Sequence, residues 1–123
     1  MPLQNGEFQA EINGIYQWYR VTGASNQSVP IVIVHGGPSG NVYTFERTIG
    51  PRLEAFATLI YYEQRGSGRS ESPINHQDYS IDGLIADLEA LRQHWKLDKM
   101  TLLGLSFGGE LALEYALRHS TTV

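Results

Sequence analysis

The chain contains no cysteine. Disulfides, thiolate zinc sites and a cysteine nucleophile are therefore excluded. Charge is sparse as well. Asp, Glu, Lys and Arg make up 18% of the 123 residues, with a net charge of -4, against about 25% in an average domain. Such a composition argues against disorder and against a charge-driven nucleic-acid module. No long apolar run is present. The longest aliphatic stretch is Ile31-Val32-Ile33-Val34, far short of the ~20 residues that span a bilayer. The opening segment, Met1 to Glu7, has neither the basic nor the apolar region of a secretory leader. These absences lead us to expect one soluble, cytoplasmic domain with neither nucleic acid nor membrane as partner.

Glycine, in contrast, is in excess. There are 13, where an average usage of about 7% would give roughly 9. Most of them fall in three clusters: Gly36, Gly37 and Gly40; Gly66 and Gly68; Gly104, Gly108 and Gly109.

The surrounding pattern places the clusters. Phe8–Glu11 and Ile15–Val21 are rich in aromatic and β-branched residues and flank Asn13-Gly14, the preferred dipeptide of a two-residue hairpin turn. Three continuous apolar segments follow, Pro30–Val34, Thr58–Tyr62 and Met100–Leu105. Continuous apolar strands are those of sheets covered on both faces. Residues 42–57 carry a mixed helical pattern, with Pro51 suited to the first turn of a helix running through Leu53 and Phe56. Ser80 is placed to cap a helix in which Ile81, Leu84, Ile85, Leu88, Leu91 and Trp95 recur at helical spacing. A last helix is expected from about Phe107 to His119, carrying Leu111, Leu113, Ala116 and Leu117. The fold class is thus α/β: a β-hairpin, then three strand–loop–helix units with a parallel sheet. Each glycine cluster sits at the carboxyl end of a parallel strand, where open α/β sheets bind ligands.

The third cluster carries the most chemistry. Gly104-Leu105-Ser106-Phe107-Gly108 has the Gly-x-Ser-x-Gly spacing of a nucleophile elbow, a tight strand-to-helix turn that leaves the serine hydroxyl exposed. Three fixed residues at about 7% each would arise by chance about 0.04 times in a chain of this length. The helix N-terminus behind the serine favours developing negative charge. Acyl transfer also needs backbone N–H groups aimed at the oxyanion. The residue after the nucleophile, Phe107, and the His-Gly-Gly segment, with Gly37 as donor, are the candidates. His35 is either a base or a brace for that loop, and its place at a strand end favours the brace. Gly36, Gly104 and Gly108 support the site loops. The second cluster lacks the spacing of either phosphate-binding glycine motif, so a tight structural turn is expected there. His76-Gln77-Asp78 has no partner at metal-ligand spacing and reads as a loop. No metal or organic cofactor is implied.

Taken together, His35-Gly36-Gly37-Pro38-Ser39-Gly40, Glu63-Gln64-Arg65-Gly66-Ser67-Gly68-Arg69-Ser70 and Gly104-Leu105-Ser106-Phe107-Gly108-Gly109 resemble the motifs of α/β-hydrolases. They are most similar to those of the proline iminopeptidase branch, with Glu63 where that pattern has Asp. The resemblance implies Ser106 as nucleophile, Gly37 and Phe107 N–H groups as oxyanion hole, a small-molecule or peptide substrate, and the strand order 1-2-4-3-5. A serine at position 106 rather than an aspartate argues against the related epoxide hydrolases.

A serine nucleophile needs a base and an orienting acid, which in this fold follow it in the chain. Only Glu110, Glu114 and His119 follow Ser106 as such candidates, all on the helix the elbow starts. His119 lies 13 residues on, roughly 20 Å away along that helix. Residues 1–123 are therefore expected to be the N-terminal part of a longer hydrolase, without its cap and C-terminal part and inactive alone. A non-catalytic binding module and one half of a split hydrolase are the alternatives. Strand 100–105 would be left at a sheet edge, so dimerisation or pairing through it is expected.

Overall fold

The computed structural model describes residues 3–37, 40–75 and 79–123. The hairpin forms as the sequence predicts. β1 (Gly6–Ile12) and β2 (Ile15–Thr22) pair antiparallel. Asn13 and Gly14 both take positive φ, at 51° and 83°, as the two-residue turn requires. β3 (Ile31–Val34), β4 (Leu59–Tyr62) and β5 (Thr101–Gly104) are the three apolar segments. β3 pairs parallel with both β4 and β5, and β2 joins the sheet antiparallel to β4. The order across the five-stranded sheet is β1-β2-β4-β3-β5.

Alternate residues of each parallel strand feed opposite faces. Val32, Val34, Ile60 and Tyr62 pack with Leu84, Ile85, Leu88 and Leu91 of α3 (Ile81–His94) and with Leu111 and Tyr115 of α4 (Phe107–Arg118). Ile33, Leu59 and Tyr61 face the other way, onto Trp18, Val42 and Phe45. The helical periodicity read from the sequence is the buried stripe of α3, except that Ile81, in its first turn, is exposed. The Ser80 side chain accepts the Gly83 N–H as N-cap, 3.0 Å.

Two differences from the sequence expectation stand out. The mixed helical pattern of residues 42–57 forms two short helices, α1 (Tyr43–Arg47) and α2 (Gly50–Leu53), and the second does not run on through Phe56. Pro51 occupies the first turn of α2 as expected. The helix nevertheless stops at Leu53, and Phe56 is 68% exposed beyond it. The last strand is also less covered than its composition suggests. β5 lies at the sheet edge, with Leu102 and Leu103 only half-buried. On α4, Leu113 and Leu117 are exposed at 70% and 78%. No described helix is long and apolar enough to cross a membrane.

Candidate active site

The register of the sheet brings two glycine clusters together. Val34 pairs with Gly104 at the carboxyl ends of adjacent strands, so the segments after β3 and β5 emerge side by side. From β5 the chain turns through Leu105, whose N–H donates to the Val34 carbonyl at 3.0 Å. Ser106 then takes φ 56° and ψ -122°, a conformation costly for any side chain with a Cβ. α4 starts at the next residue. Its first bonds, Gly108 N–H to Leu105 O at 2.8 Å and Gly109 N–H to Ser106 O at 2.9 Å, close the turn.

Close approach explains the flanking glycines. A Cβ on Gly104 would lie 2.5 Å from the Gly108 carbonyl oxygen, and one on Gly108 would lie 2.0 Å from that of Val34. Neither fits, so the tightness of the elbow requires hydrogen at both positions. Ser106 itself is exposed, and its side chain caps no backbone group of α4. Its hydroxyl stands free at the helix N-terminus.

The segment after β3 lies against this serine. A Cβ on Gly36 would sit 3.2 Å from Ser106 Cβ. Gly37 follows, exposed, with φ 129°. Phe107 holds the first helical position of α4, where a backbone N–H has no intrahelical acceptor. Pro38 and Ser39 of this cluster, and His76-Gln77-Asp78, lie outside the described residues.

His35 is fully buried. Its Nε2 accepts the Gln64 N–H at 3.0 Å, and its own carbonyl accepts from the Gln64 side chain at 3.0 Å. Nδ1 is then the protonated nitrogen and donates to the Gly36 carbonyl, 2.7 Å away. Burial lowers its pKa below the ordinary histidine value, although the Gly36 bond and the Glu63 charge act the other way. A neutral imidazole with both nitrogens engaged cannot take a proton from a serine, but it can hold a loop.

The other described histidines are engaged elsewhere. His94, at the end of α3, is 3.4 Å from the Tyr19 hydroxyl. His119, at the far end of α4, stacks on Tyr115 at 4.7 Å. Among the described residues no group of His, Asp and Glu could hold a metal ion.

The second glycine cluster turns out to be held by buried charge that spacing did not reveal. Glu63 is 1% exposed. It accepts the Val42 N–H at 3.1 Å, the Arg69 N–H at 2.8 Å and Arg69 Nε at 2.6 Å. Arg69 stacks on Trp18, 3.4 Å from the ring centroid, and reaches Glu46, which also accepts from Arg20. Burial raises the Glu63 pKa, but the Arg69 and Val42 bonds outweigh it and hold the carboxyl below its usual range. Nearby, Arg65 forms a two-pronged pair with Asp87 of α3 at 2.6 and 2.8 Å, and Asn13 of the hairpin turn donates to the same carboxylate at 2.9 Å. The one available signal was the presence of Glu and Arg within a glycine-rich turn.

A mixed sheet of this order, with a serine in a left-handed strand-to-helix turn, defines the α/β-hydrolase class. The family model of the alpha/beta hydrolase fold matches residues 29–123, and the chain belongs to that family. It is 36% identical over 89% of its length to a proline iminopeptidase of Thermoplasma volcanium, covering 37% of that protein. It is 38% identical over 88% of its length to one of Saccharolobus solfataricus, covering 34% of it. The chain thus spans about a third of the length of these relatives. Its fold matches the crystal structure of a proline iminopeptidase-related protein from Thermus thermophilus with a TM-score of 0.87 and 26% identity, over 98% of this chain and 42% of that one.

Proposed function

We propose that the chain is the nucleophile-bearing part of a serine hydrolase that cleaves an amide or ester bond. The substrate class is that of a proline iminopeptidase, a short peptide with a free N-terminal residue. The observation that carries this reading is the left-handed, exposed Ser106 at the start of α4, with Gly36 packed against it. The identity to proline iminopeptidases supports the substrate class.

In this reading the Ser106 Oγ attacks the scissile carbonyl carbon while a base accepts its proton. The carbonyl oxygen becomes an oxyanion, bound by the N–H groups of Gly37 and Phe107 and favoured by the α4 dipole. Collapse of the intermediate expels the amine or alcohol, which takes the proton from the base. Water then hydrolyses the acyl-serine by the same route. His35 and Gln64 brace the loop carrying Gly37. The base and its orienting acid are supplied by residues beyond those described, in the part of the fold corresponding to the remainder of the relatives. Residues 1–123 alone are then inactive.

The test joins the chain to the C-terminal portion of the Saccharolobus solfataricus relative and follows hydrolysis of proline arylamide. Turnover is expected, and Ser106→Ala should lower kcat by about 10³-fold or more. Turnover that survives Ser106→Ala would overturn the assignment.

A further inference from the structure

Glu63 and Gln64 are consecutive, yet they grip opposite ends of the same segment. Gln64 binds both the ring and the carbonyl of His35, at its start. Glu63 receives the N–H of Val42, at its end. Gly36 and Gly37 lie between these anchors.

We propose that Glu63 is a positioning residue of the site. Through the Val42 N–H it holds the chain just after Gly40, where a Cβ would lie 2.4 Å from the Gly36 carbonyl oxygen, and so sets how Gly36 and the Gly37 amide sit against Ser106. The proposal rests on the role given above to Gly37.

Three features make this carboxylate suited to the task. A carboxylate is acceptor-only on both oxygens. One oxygen takes Val42 and the other takes Arg69 twice, so the side chain has no rotational freedom left. Its charge is also cancelled locally. Arg69 and Arg20 balance Glu63 and Glu46 within one connected network, so the anchor at Val42 adds no net negative charge to the segment that carries Gly37. Finally, the turn is built around it. Gly68 has φ 51°, and a Cβ there would lie 2.5 Å from the Glu63 carboxyl carbon and both its oxygens. This accounts for a glycine of the second cluster that no phosphate motif explained.

The test is amide hydrogen exchange by NMR on the 123-residue chain, with Glu63→Gln and Glu63→Asp. The glutamine keeps the shape but has one oxygen for three donors, and accepting from charged Arg69 leaves its NH₂ facing the Val42 N–H. The aspartate keeps the charge, and hence the Arg69 pairing that favours folding, but shortens the arm by one methylene. In both, Val42 exchange is expected to accelerate roughly ten- to hundredfold, with a shifted Gly37 amide resonance. The Gly108 and Gly109 amides of the elbow should be unchanged. The proposal is overturned if Val42 and Gly37 keep their parent behaviour in the aspartate variant. It is equally overturned if elbow and β1 amides accelerate by the same factor, since the effect would then be global destabilisation. Because no turnover is measured, a failed Ser106 assignment would not alter this outcome.

Discussion

Replacing Ser106 with glycine should make the protein more stable. Ser106 holds φ 56° and ψ -122°, a region where a residue with a Cβ costs about 1–3 kcal/mol. Glycine adopts it freely but gives the unfolded chain extra entropy worth about 0.5–1 kcal/mol. The hydroxyl offers nothing to lose, because the exposed side chain makes no cap bond to α4. The net gain is therefore about 0.5–2 kcal/mol, a rise in Tm of roughly 2–8 °C for a domain of this size. Ser106→Ala is the control. It removes the same oxygen but retains the Cβ, so it should stay within about 0.5 kcal/mol of the parent. Thermal unfolding followed by circular dichroism reads both variants. If Ser106→Gly melts at or below Ser106→Ala, the backbone at the elbow is unstrained and the Cβ at position 106 carries no conformational cost. A stabilised Gly variant would place the cost of the turn on the side chain proposed above as the nucleophile.

Two further outcomes are expected. Asp87→Ala removes both prongs of the Arg65 pair and the acceptor of Asn13; it should cost about 1.5–3 kcal/mol in urea unfolding, and a loss below about 0.5 kcal/mol would show the pair to be dispensable. The edge of β5, with the groove of about 540 Å³ lined by Leu102, Ala112, Leu113 and Ala116, should drive self-association; Leu113→Glu with Leu117→Glu should suppress it in sedimentation experiments, and a parent that stays monomeric at high concentration would refute it.

The strand-end clusters were readable because glycine leaves a steric signature in sequence. Gly104 and Gly108 are forced by backbone oxygens that leave no room for a Cβ, and Asn13-Gly14 by positive φ. The periodic stripe of α3 was equally plain, since burial selects Leu84, Leu88 and Leu91 at helical spacing. The division of residues 42–57 was hidden. α1 ends at Arg47 and α2 begins at Gly50, and which short turn survives depends on packing across Val42, Phe45 and Tyr61, not on local propensity. The charge network was hidden for a different reason. Arg69 meets Glu63 from its own turn but Glu46 from a separate helix, and pairing between distant segments leaves no spacing to read. Similarly, the engagement of the His35 ring and carbonyl rests on Gln64, a partner that follows the neighbouring strand.

The strand order also bears on how the site comes into being. β3 lies between β4 and β5, and Ile31 is in register with both Leu59 and Thr101. The pairing with β4 closes a short loop, but that with β5 closes a much longer one, whose entropic cost is higher. Contacts of long sequence separation slow folding. The two halves of the site, Gly36 from one strand and Ser106 from the other, therefore meet only at this last and most distant pairing. A partly folded chain would carry the hairpin and the β3–β4 pair with Gly36 and Ser106 still apart, so the proposed site would take shape only as the sheet is completed.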